Sequence, residues 1–279
     1  MRRIIGLLTL ITITVWISVF TIDSDLHVIA CDVGQGDAIL IQKSTTQVLI
    51  DGGPNNSVVN CLGKYMPYWD RTIELVILTH PQADHHEGLI DVFKSYKVAN
   101  FGQYNTNSSN QGYSVLRNLV GGTTTHGIHL TKGTNLRLGM MQLDILWPNE
   151  NSDLTNIESK SHNVNDDGVV VKLKYAQFSA LFTADVENEV SDELSTLSEV
   201  EGLNYIKVNH HGSRNGMSEK LLSAVEPKVA IISNAKKNSY GHPHQEILNL
   251  LDKYKVKVLR TDEIGNVEII TNGENFWLK

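Results

Sequence analysis

The segment LTHPQADHHEG, residues 78–88, places three histidines, an aspartate and a glutamate close together in a chain that has 11 histidines. It follows an apolar run that reads as the end of a buried strand, so His80, Asp84 and His85 are predicted on a tight loop running into a helix. Imidazole and carboxylate groups together suit Zn, Mn or Fe. A metal held by three or four such groups keeps an open position for water and lowers the pKa of that water towards ~7. The segment therefore predicts a metal site that activates water.

Further polar clusters follow other predicted strands. The segments that carry them are LIDGG with Asp51, LFTAD with Asp185, IKVNHHGS with His210 and His211, and SNAKKNSYGHPH with His242 and His244. Loops beyond strand ends are where ligand sites form in α/β sheets, because the strands hold the loop residues rigidly. Any one of these residues could be an ordinary strand-end or turn residue. Their shared position favours one site, and we predict that Asp185 and His210 complete the metal shell.

The elements that must position these residues are short strands alternating with helices. Runs such as LHVIACD, DAILIQ, IELVILTH, GVVVKLKY and KVAIIS read as strands. Helical patterns include NSVVNCLGKYM, residues 87–96 and QEILNLLDKY. The stretch FGQYNTNSSNQGY reads as a surface loop. The pattern predicts an α/β fold in which a mixed sheet sandwich is covered by helices.

Composition limits the classes of function. The 279 residues are 41% hydrophobic, which is enough for a substantial core, and the net charge is -7 at a sequence pI of about 5.9. This charge argues against a broad basic surface for non-specific binding of nucleic acid. It leaves a nucleic-acid substrate open, because a bound metal supplies positive charge locally.

The two cysteines are too few for a disulfide framework or a thiolate zinc site. Cys31 ends the apolar run HVIAC and is interpreted as a buried, inert thiol. The sequence leaves open whether Cys31 pairs with Cys61.

The N-terminus carries two arginines before an uncharged apolar segment, residues 4–22, which is just long enough to span a membrane. Residues 1–24 are therefore predicted to be an uncleaved signal anchor, with a cleaved signal peptide as the alternative. A buried first strand is the third interpretation. Either main interpretation puts residues 25–279 outside the cytoplasmic membrane, on the cell surface or secreted.

The order of the motifs adds a resemblance to a known family. DVGQGDAILIQ, VLIDGG, VILTHPQADHHEGL, LFTADVE, IKVNHHGS and YGHPH occur in that order. Over roughly residues 26–279 the chain resembles the metallo-β-lactamase-fold domain of ComEC-type DNA-uptake proteins and their stand-alone relatives. The resemblance implies an αββα sandwich of two mixed sheets, with helices outside and a site for one or two Zn or Mn ions along one edge.

The resemblance also implies residue roles. The metal ligands it implies are His80, Asp84, His85, Asp185 and His210, with His211 as an alternative to His210. His242 resembles a histidine near the substrate phosphate or leaving group. Asp51 resembles a residue that braces the ligands from behind. Asn165 falls where relatives carry an asparagine near the site.

Two features depart from that family. Gln82 stands where relatives carry an aspartate or histidine, and a neutral amide oxygen is a weak ligand. His162 is a candidate for an additional histidine ligand. We expect one tight metal at the Asp84–His85 side and a second that is weak, substrate-dependent or absent. The chain also offers one candidate membrane span where DNA-uptake proteins have many, so we do not expect it to transport DNA alone.

These observations favour a metal-dependent phosphodiesterase outside the membrane. In that hypothesis Asp84 orients the attacking water and accepts its proton, while the metal and His242 stabilise phosphoryl charge. DNA is the substrate that the resemblance suggests, with other phosphodiesters open. The alternatives are a lactone or β-lactam hydrolase, and a membrane-tethered binding protein with a degenerate metal site.

Overall fold

The computed structural model describes residues 23–104, 108–150 and 163–279. The apolar segment of the predicted signal anchor, residues 4–22, lies outside these ranges, as do His162 and residues 105–107 of the predicted surface loop. Among the described residues, no helix combines the length and apolar character that crossing a bilayer requires.

The first sheet is mixed and has the strand order β15-β14-β1-β2-β3-β4-β5-β6. Its strands are β1 (Leu26–Ala30), β2 (Ile39–Lys43), β3 (Thr46–Ile50), β4 (Thr72–Leu78), β5 (Lys97–Gln103), β6 (His126–His129), β14 (Val267–Thr271) and β15 (Phe276–Leu278). Pairing is antiparallel from β15 to β3 and parallel from β3 to β6. The parallel half brings the carboxyl ends of β3 and β4 to one edge.

The second sheet is also mixed and has the order β13-β12-β11-β10-β9-β8-β7. Its strands are β7 (Asn135–Leu138), β8 (Met141–Trp147), β9 (Val170–Tyr175), β10 (Phe178–Phe182), β11 (Tyr205–Lys207), β12 (Val229–Ile232) and β13 (Lys257–Arg260). β10 to β13 run parallel to one another. The loops after β10, β11 and β12 therefore leave the same edge of this sheet.

The strands read as continuous apolar runs because both of their faces are buried. In β1, Leu26, Val28 and Ala30 pack between the two sheets, whereas Ile29 faces the outer helices. Successive strand residues point to opposite faces, so one strand contributes to two cores.

Helices cover the outer face of each sheet. They are α1 (Ser57–Tyr65), α2 (Ala83–Ser95), α3 (Gln111–Gly121), α4 (Asn188–Leu194), α5 (Glu219–Val225), α6 (Gln245–Lys253) and the short α7 (Thr261–Ile264). α1 to α3 bury their apolar faces on the first sheet, and α4 to α6 bury theirs on the second. The predicted four-layer α/β sandwich is confirmed.

Two local predictions need correction. α2 begins at Ala83, so Asp84 and His85 lie in its first turn rather than on the predicted loop. β5 extends to Gln103 and α3 begins at Gln111, so the predicted surface loop is shorter than its composition indicated.

The interpretation of Cys31 as an inert thiol is wrong, because Cys31 and Cys61 form a disulfide. Cys31 follows β1 and Cys61 lies on α1, with their Cα atoms 5.9 Å apart. The bond ties a helix of the outer layer to the end of a central strand. Sequence spacing could not reveal it, because the helix packing creates the proximity.

The Cys31→Ala/Cys61→Ala double variant should unfold more easily than the wild type. The disulfide closes a 30-residue separation, and restricting an unfolded loop of that size stabilises a protein by about 3–4 kcal/mol. Urea denaturation of both proteins, with and without a thiol reductant, measures the difference. Equal free energies of unfolding for the two oxidised proteins would contradict the expectation.

Candidate metal centre

The candidate site lies where strands of both sheets end. Asp51 directly follows β3, and Thr79 and His80 follow β4. Asp185 follows β10, and the His210–His211 pair follows β11. The polar clusters that the sequence placed after separate strands therefore converge at one edge of the sandwich.

Four buried side chains form a group that could hold a metal ion. They are Asp37, His85, Asp185 and His211, and each offers one ligand atom within 4.8 Å of the others. One oxygen of Asp185, Oδ2, lies 3.1 Å from His211 Nε2 and 3.4 Å from His85 Nε2. Both carboxylate oxygens of Asp185 and both of these Nε2 atoms are buried and have no hydrogen-bond partner among the described residues. Such orphaned imidazole and carboxylate atoms fit a divalent cation such as Zn or Mn.

The far sides of the two imidazoles are held by hydrogen bonds. His85 Nδ1 lies 2.8 Å from Asp51 Oδ2, and Asp51 also accepts hydrogen bonds from the amide and hydroxyl of Thr79. His211 Nδ1 donates to the carbonyl oxygen of Ser233 at 2.8 Å. These contacts fix both rings with Nε2 towards the group, which is the usual support of metal-binding histidines.

Asp37 was not among the residues singled out from the sequence. It lies in the β1–β2 connection within DVGQGDA, and its backbone N–H donates to the carbonyl oxygen of Asp84. Gly36 permits this approach, because its φ is +130° and a Cβ there would lie 2.0 Å from that same oxygen. An aspartate after a Gly-x-Gly turn, directly before an apolar strand, is the signal that could have identified it.

Lys207 is the other residue that sequence reasoning missed. Its ammonium is buried, 2.6 Å from Asp37 Oδ2 and 3.9 Å from Asp185 Oδ1. A lysine is almost never fully buried unless it is paired. A charged residue at the end of the buried strand YIK was the available signal.

His80 and Asp84 lie beside the four-residue group. The His80 ring centroid is 4.1 Å from that of His85, and His80 Nε2 is buried without a hydrogen-bond partner among the described residues. Asp84 Oδ2 is 3.6 Å from His211 Nε2, and its side chain is 26% exposed. Asp84 is thus more open to solvent than the four grouped side chains.

Gln82 and Asn165 contact each other. The side-chain amide of Gln82 donates to the side-chain oxygen of Asn165, which is itself buried in the turn before β9. This contact joins the start of α2 to the segment from the second sheet. Gln82 precedes Asp84 by two residues in the chain.

The two adjacent histidines after β11 take different positions. Both have left-handed backbones, with φ of 47° at His210 and 53° at His211. His211 is buried in the four-residue group, whereas His210 is 22% exposed with Nε2 3.8 Å from Asp185 Oδ2. The structure thus groups the alternative ligand, His211, with the other candidates and puts His210 at the mouth of the site. The His242 ring lies 5.5 Å from the His210 ring.

Charge interactions set the protonation of the site without metal. Burial disfavours a charged His85. The negative charges of Asp185, Asp51 and Asp84 outweigh this effect of burial and raise the pKa of His85 well above its usual range. The pKa of His211 is raised to about 9, because Asp185 and Asp37 likewise outweigh burial.

The pKa values of His80 and His242, which lie outside the four-residue group, are lowered instead. Burial and the neighbouring His85 lower the pKa of His80 to about 3. Burial and the neighbouring histidines, His211 first among them, lower the pKa of His242 to about 4. Both imidazoles are therefore neutral at pH 7.

Comparison with known proteins gives the relatives of the chain. No protein-family model matches it. It is 27% identical over 269 residues to ComE operon protein 3 of Bacillus subtilis, and the alignment covers 88% of this chain and 33% of that protein. It is 30% identical over 247 residues to Recombination protein 2 of Haemophilus influenzae, and the alignment covers 85% of this chain and 28% of that protein. The chain spans about a third or less of the length of these relatives.

Solved structures give the fold. The metallo-β-lactamase fold protein YhfI from Bacillus subtilis matches with a TM-score of 0.58 and 13% identity, covering 91% of this chain and 100% of that chain. A diphosphatase from the PhnP family matches with a TM-score of 0.52 and 12% identity, covering 88% of this chain and 98% of that chain. The chain is therefore a protein of the metallo-β-lactamase fold. Within that class its sequence resembles the ComEC-type competence proteins, and the resemblance predicted from its motifs is confirmed.

Metal affinity should rise with pH between about 6.5 and 9. A histidine binds metal only as neutral imidazole, and the pKa of His211 without metal is about 9. Binding below that pH must displace a proton, so the affinity should increase about tenfold per pH unit for each proton displaced. Competition of Zn²⁺ with a chelator of known affinity at pH 6.5, 7.5 and 8.5 measures the slope. A flat profile would show that the ligands are already neutral.

The Lys207→Met variant should be markedly destabilised without metal. Without the ammonium, one of the cations that balance the buried carboxylates of Asp37 and Asp185 is missing. The free energy of unfolding should therefore fall by about 3–5 kcal/mol. Added Zn²⁺ should restore much of it. Urea denaturation with chelator and then with Zn²⁺ makes the measurement, and the exposed Lys97→Met is the matched control. Wild-type stability of Lys207→Met in chelator would refute the role of this pair.

Proposed function

We propose that the chain is a metal-dependent hydrolase of phosphodiesters. The observation that carries the proposal is a buried set of carboxylate and imidazole atoms that have no hydrogen-bond partner in the described part of the chain, beside a partly exposed aspartate. Asp37, His85, Asp185 and His211 would hold a Zn or Mn ion, with His80 and Asp84 adjacent. A second ion at the His80 side is part of the proposal, and it would be held weakly because Gln82 offers only a neutral amide oxygen there.

A divalent ion held there would supply Lewis-acid activation of water and of a phosphoryl oxygen. Asp84 is the side chain best placed to orient the attacking water, because its carboxylate reaches both His211 and solvent. Without metal, the protonated His85 and His211 hold the pKa of Asp84 below its usual range despite burial. A bound cation would supply that positive charge in place of the protons, so Asp84 would stay ionised at neutral pH and could accept a hydrogen bond.

His210 and His242 stand at the outer side of the proposed reaction centre. Nδ1 of His242 is buried without a hydrogen-bond partner among the described residues. As a neutral imidazole it can donate one N–H to a phosphoryl or leaving-group oxygen. Asp51 would act through His85 by fixing its ring, which makes it a positioning residue.

The choice of phosphodiester rests on the relatives. One protein of the same fold is a diphosphatase of the PhnP family, and the sequence relatives include Competence protein ComA of Neisseria gonorrhoeae, to which the chain is 23% identical over 254 residues. DNA is therefore the first substrate to test. We further propose that residues 1–24 tether or export the domain of residues 25–279, on the basis of the apolar segment 4–22.

Asp84→Ala should lower turnover of bis(p-nitrophenyl) phosphate by about 10²–10³-fold while leaving the fold intact, because the attacking water loses its orienting carboxylate. Asp91→Ala, an exposed acid on the same helix, is the matched control and should retain activity. Elemental analysis of the purified chain comes first, and Zn²⁺- and Mn²⁺-loaded samples are then assayed. Full activity of folded Asp84→Ala would refute its role.

The same samples separate the competing functions. Hydrolysis of nitrocefin or a lactone, with none of a phosphodiester, would replace the proposed substrate class. Absence of bound metal after dialysis against Zn²⁺ or Mn²⁺, with no turnover of any ester, would favour a binding protein with a degenerate site.

A further inference from the structure

The apolar segment 4–22 joins the sandwich through a very short connection. Ile22 is the last residue of that segment, and β1 begins at Leu26. An extended chain spans at most about 3.6 Å per residue, so the start of β1 lies within about 14 Å of Ile22. β1 is an inner strand of the first sheet, paired with β14 on one side and β2 on the other. The end of the sandwich where β1 begins is therefore the end nearest to whatever holds the apolar segment.

The connecting residues are held against the sandwich by hydrogen bonds. The backbone N–H of Asp25 donates to Asp23 Oδ1 at 2.9 Å. From the turn between β2 and β3, the Ser44 hydroxyl donates to the Asp23 carbonyl oxygen at 3.3 Å, and the Lys43 ammonium donates to the carbonyl oxygen of Ser24. The connection is thus not a loose tether, because these contacts fix the direction in which the chain enters the domain.

Two exposed aromatic side chains stand at this same end of the sandwich. Tyr68 and Trp69, in the loop between α1 and β4, are 70% and 40% exposed, and their rings meet edge to face with centroids 4.9 Å apart. Together with Asp23 they line a cavity of about 380 Å³ whose wall also includes Lys64 and Lys279. Tyrosine and tryptophan are enriched at the level of lipid headgroups, because each combines an apolar ring with a polar tip. Lysines beside them are attracted to anionic lipids.

The candidate metal centre lies at the opposite end of the strands. The loop that carries Tyr68 and Trp69 leads into the start of β4, whereas His80 follows the end of that strand. β4 has 7 residues, which at the usual rise of a strand is a length of about 20 Å. A bilayer in contact with the aromatic end would therefore leave the metal centre directed away from it.

We propose that this end of the sandwich rests on a phospholipid bilayer, with Tyr68 and Trp69 in the headgroup region and Lys64 beside the lipid phosphates. The inference rests on the proposal that residues 1–24 tether the domain, and it adds the orientation that the domain takes. With the metal centre on the aqueous side, the phosphodiester comes from a molecule outside the bilayer and not from a lipid within it.

Site-directed fluorescence on the full chain in vesicles tests the orientation. Because Cys31 and Cys61 form a disulfide, Tyr68→Cys supplies a single free thiol for an environment-sensitive fluorophore. In vesicles of phosphatidylethanolamine and phosphatidylglycerol, its emission should shift to the blue and be quenched by lipids that are spin-labelled near the headgroup. Ile264→Cys is the matched control and should show neither effect, because Ile264 is 57% exposed and lies on α7, which follows β13 at the metal end.

Removing the rings tests whether they make the contact. With the fluorophore on Thr45→Cys, in the exposed turn between β2 and β3, the Tyr68→Ala/Trp69→Ala change should abolish most of the quenching. Tyr240→Ala removes a ring that is 63% exposed after β12 at the other end, and it should leave the quenching unchanged. Lys64→Ala should reduce the quenching more with phosphatidylglycerol than with phosphatidylcholine, because only the former gives the surface a net negative charge.

Flotation of the same vesicles separates the possible failures. A chain that floats with the vesicles but shows equal quenching for Tyr68→Cys and Ile264→Cys, or none for either, would overturn the orientation and leave the tether intact. A chain that stays in solution would reject the tether, and the inference with it. Neither result affects the test of the hydrolase, because turnover of bis(p-nitrophenyl) phosphate by metal-loaded samples is measured independently of lipid.

Discussion

The contact of Asp185 with two imidazoles and one ammonium is the interaction on which the rest of the site depends. Its carboxylate faces His85, His211 and Lys207, and both of its oxygens are buried without a hydrogen bond among the described residues. A buried carboxylate is stable only when cations balance it. The protonated histidines do so without metal and hold the pKa of Asp185 well below its usual range. Metal and protons therefore compete for one set of atoms.

The architecture supplies this arrangement by ending strands of two sheets at one edge. The apolar strands are fixed on both faces, so the polar residues beyond them have little freedom. Gly36 lets the Asp37 connection pack against the start of α2, and Asp51 holds His85 from behind. The rigid sandwich therefore fixes the positions of these side chains, although each of them comes from a different loop between secondary-structure elements.

Burial divides the site into an inner and an outer part. The inner group is enclosed and suited to an ion, whereas the side chains of His210 and Asp84 are 22% and 26% exposed. An enclosed centre strengthens charge interactions because water is excluded. The outer residues meet the substrate first, so they are where selectivity between substrates can be set without disturbing the ion.

The sequence by itself determined the sandwich fold, and it singled out His80, Asp84, His85 and Asp185 as members of the candidate site. Each of those follows a strand or starts a helix, and such signals are local in the chain. The tertiary structure decided the grouping of His211 rather than His210, because both have left-handed backbones that turn adjacent rings apart. It also decided the parts played by Asp37 and Lys207 and the Cys31–Cys61 bond. Those contacts join residues far apart in sequence, and only the packing of two sheets and their helices brings them together.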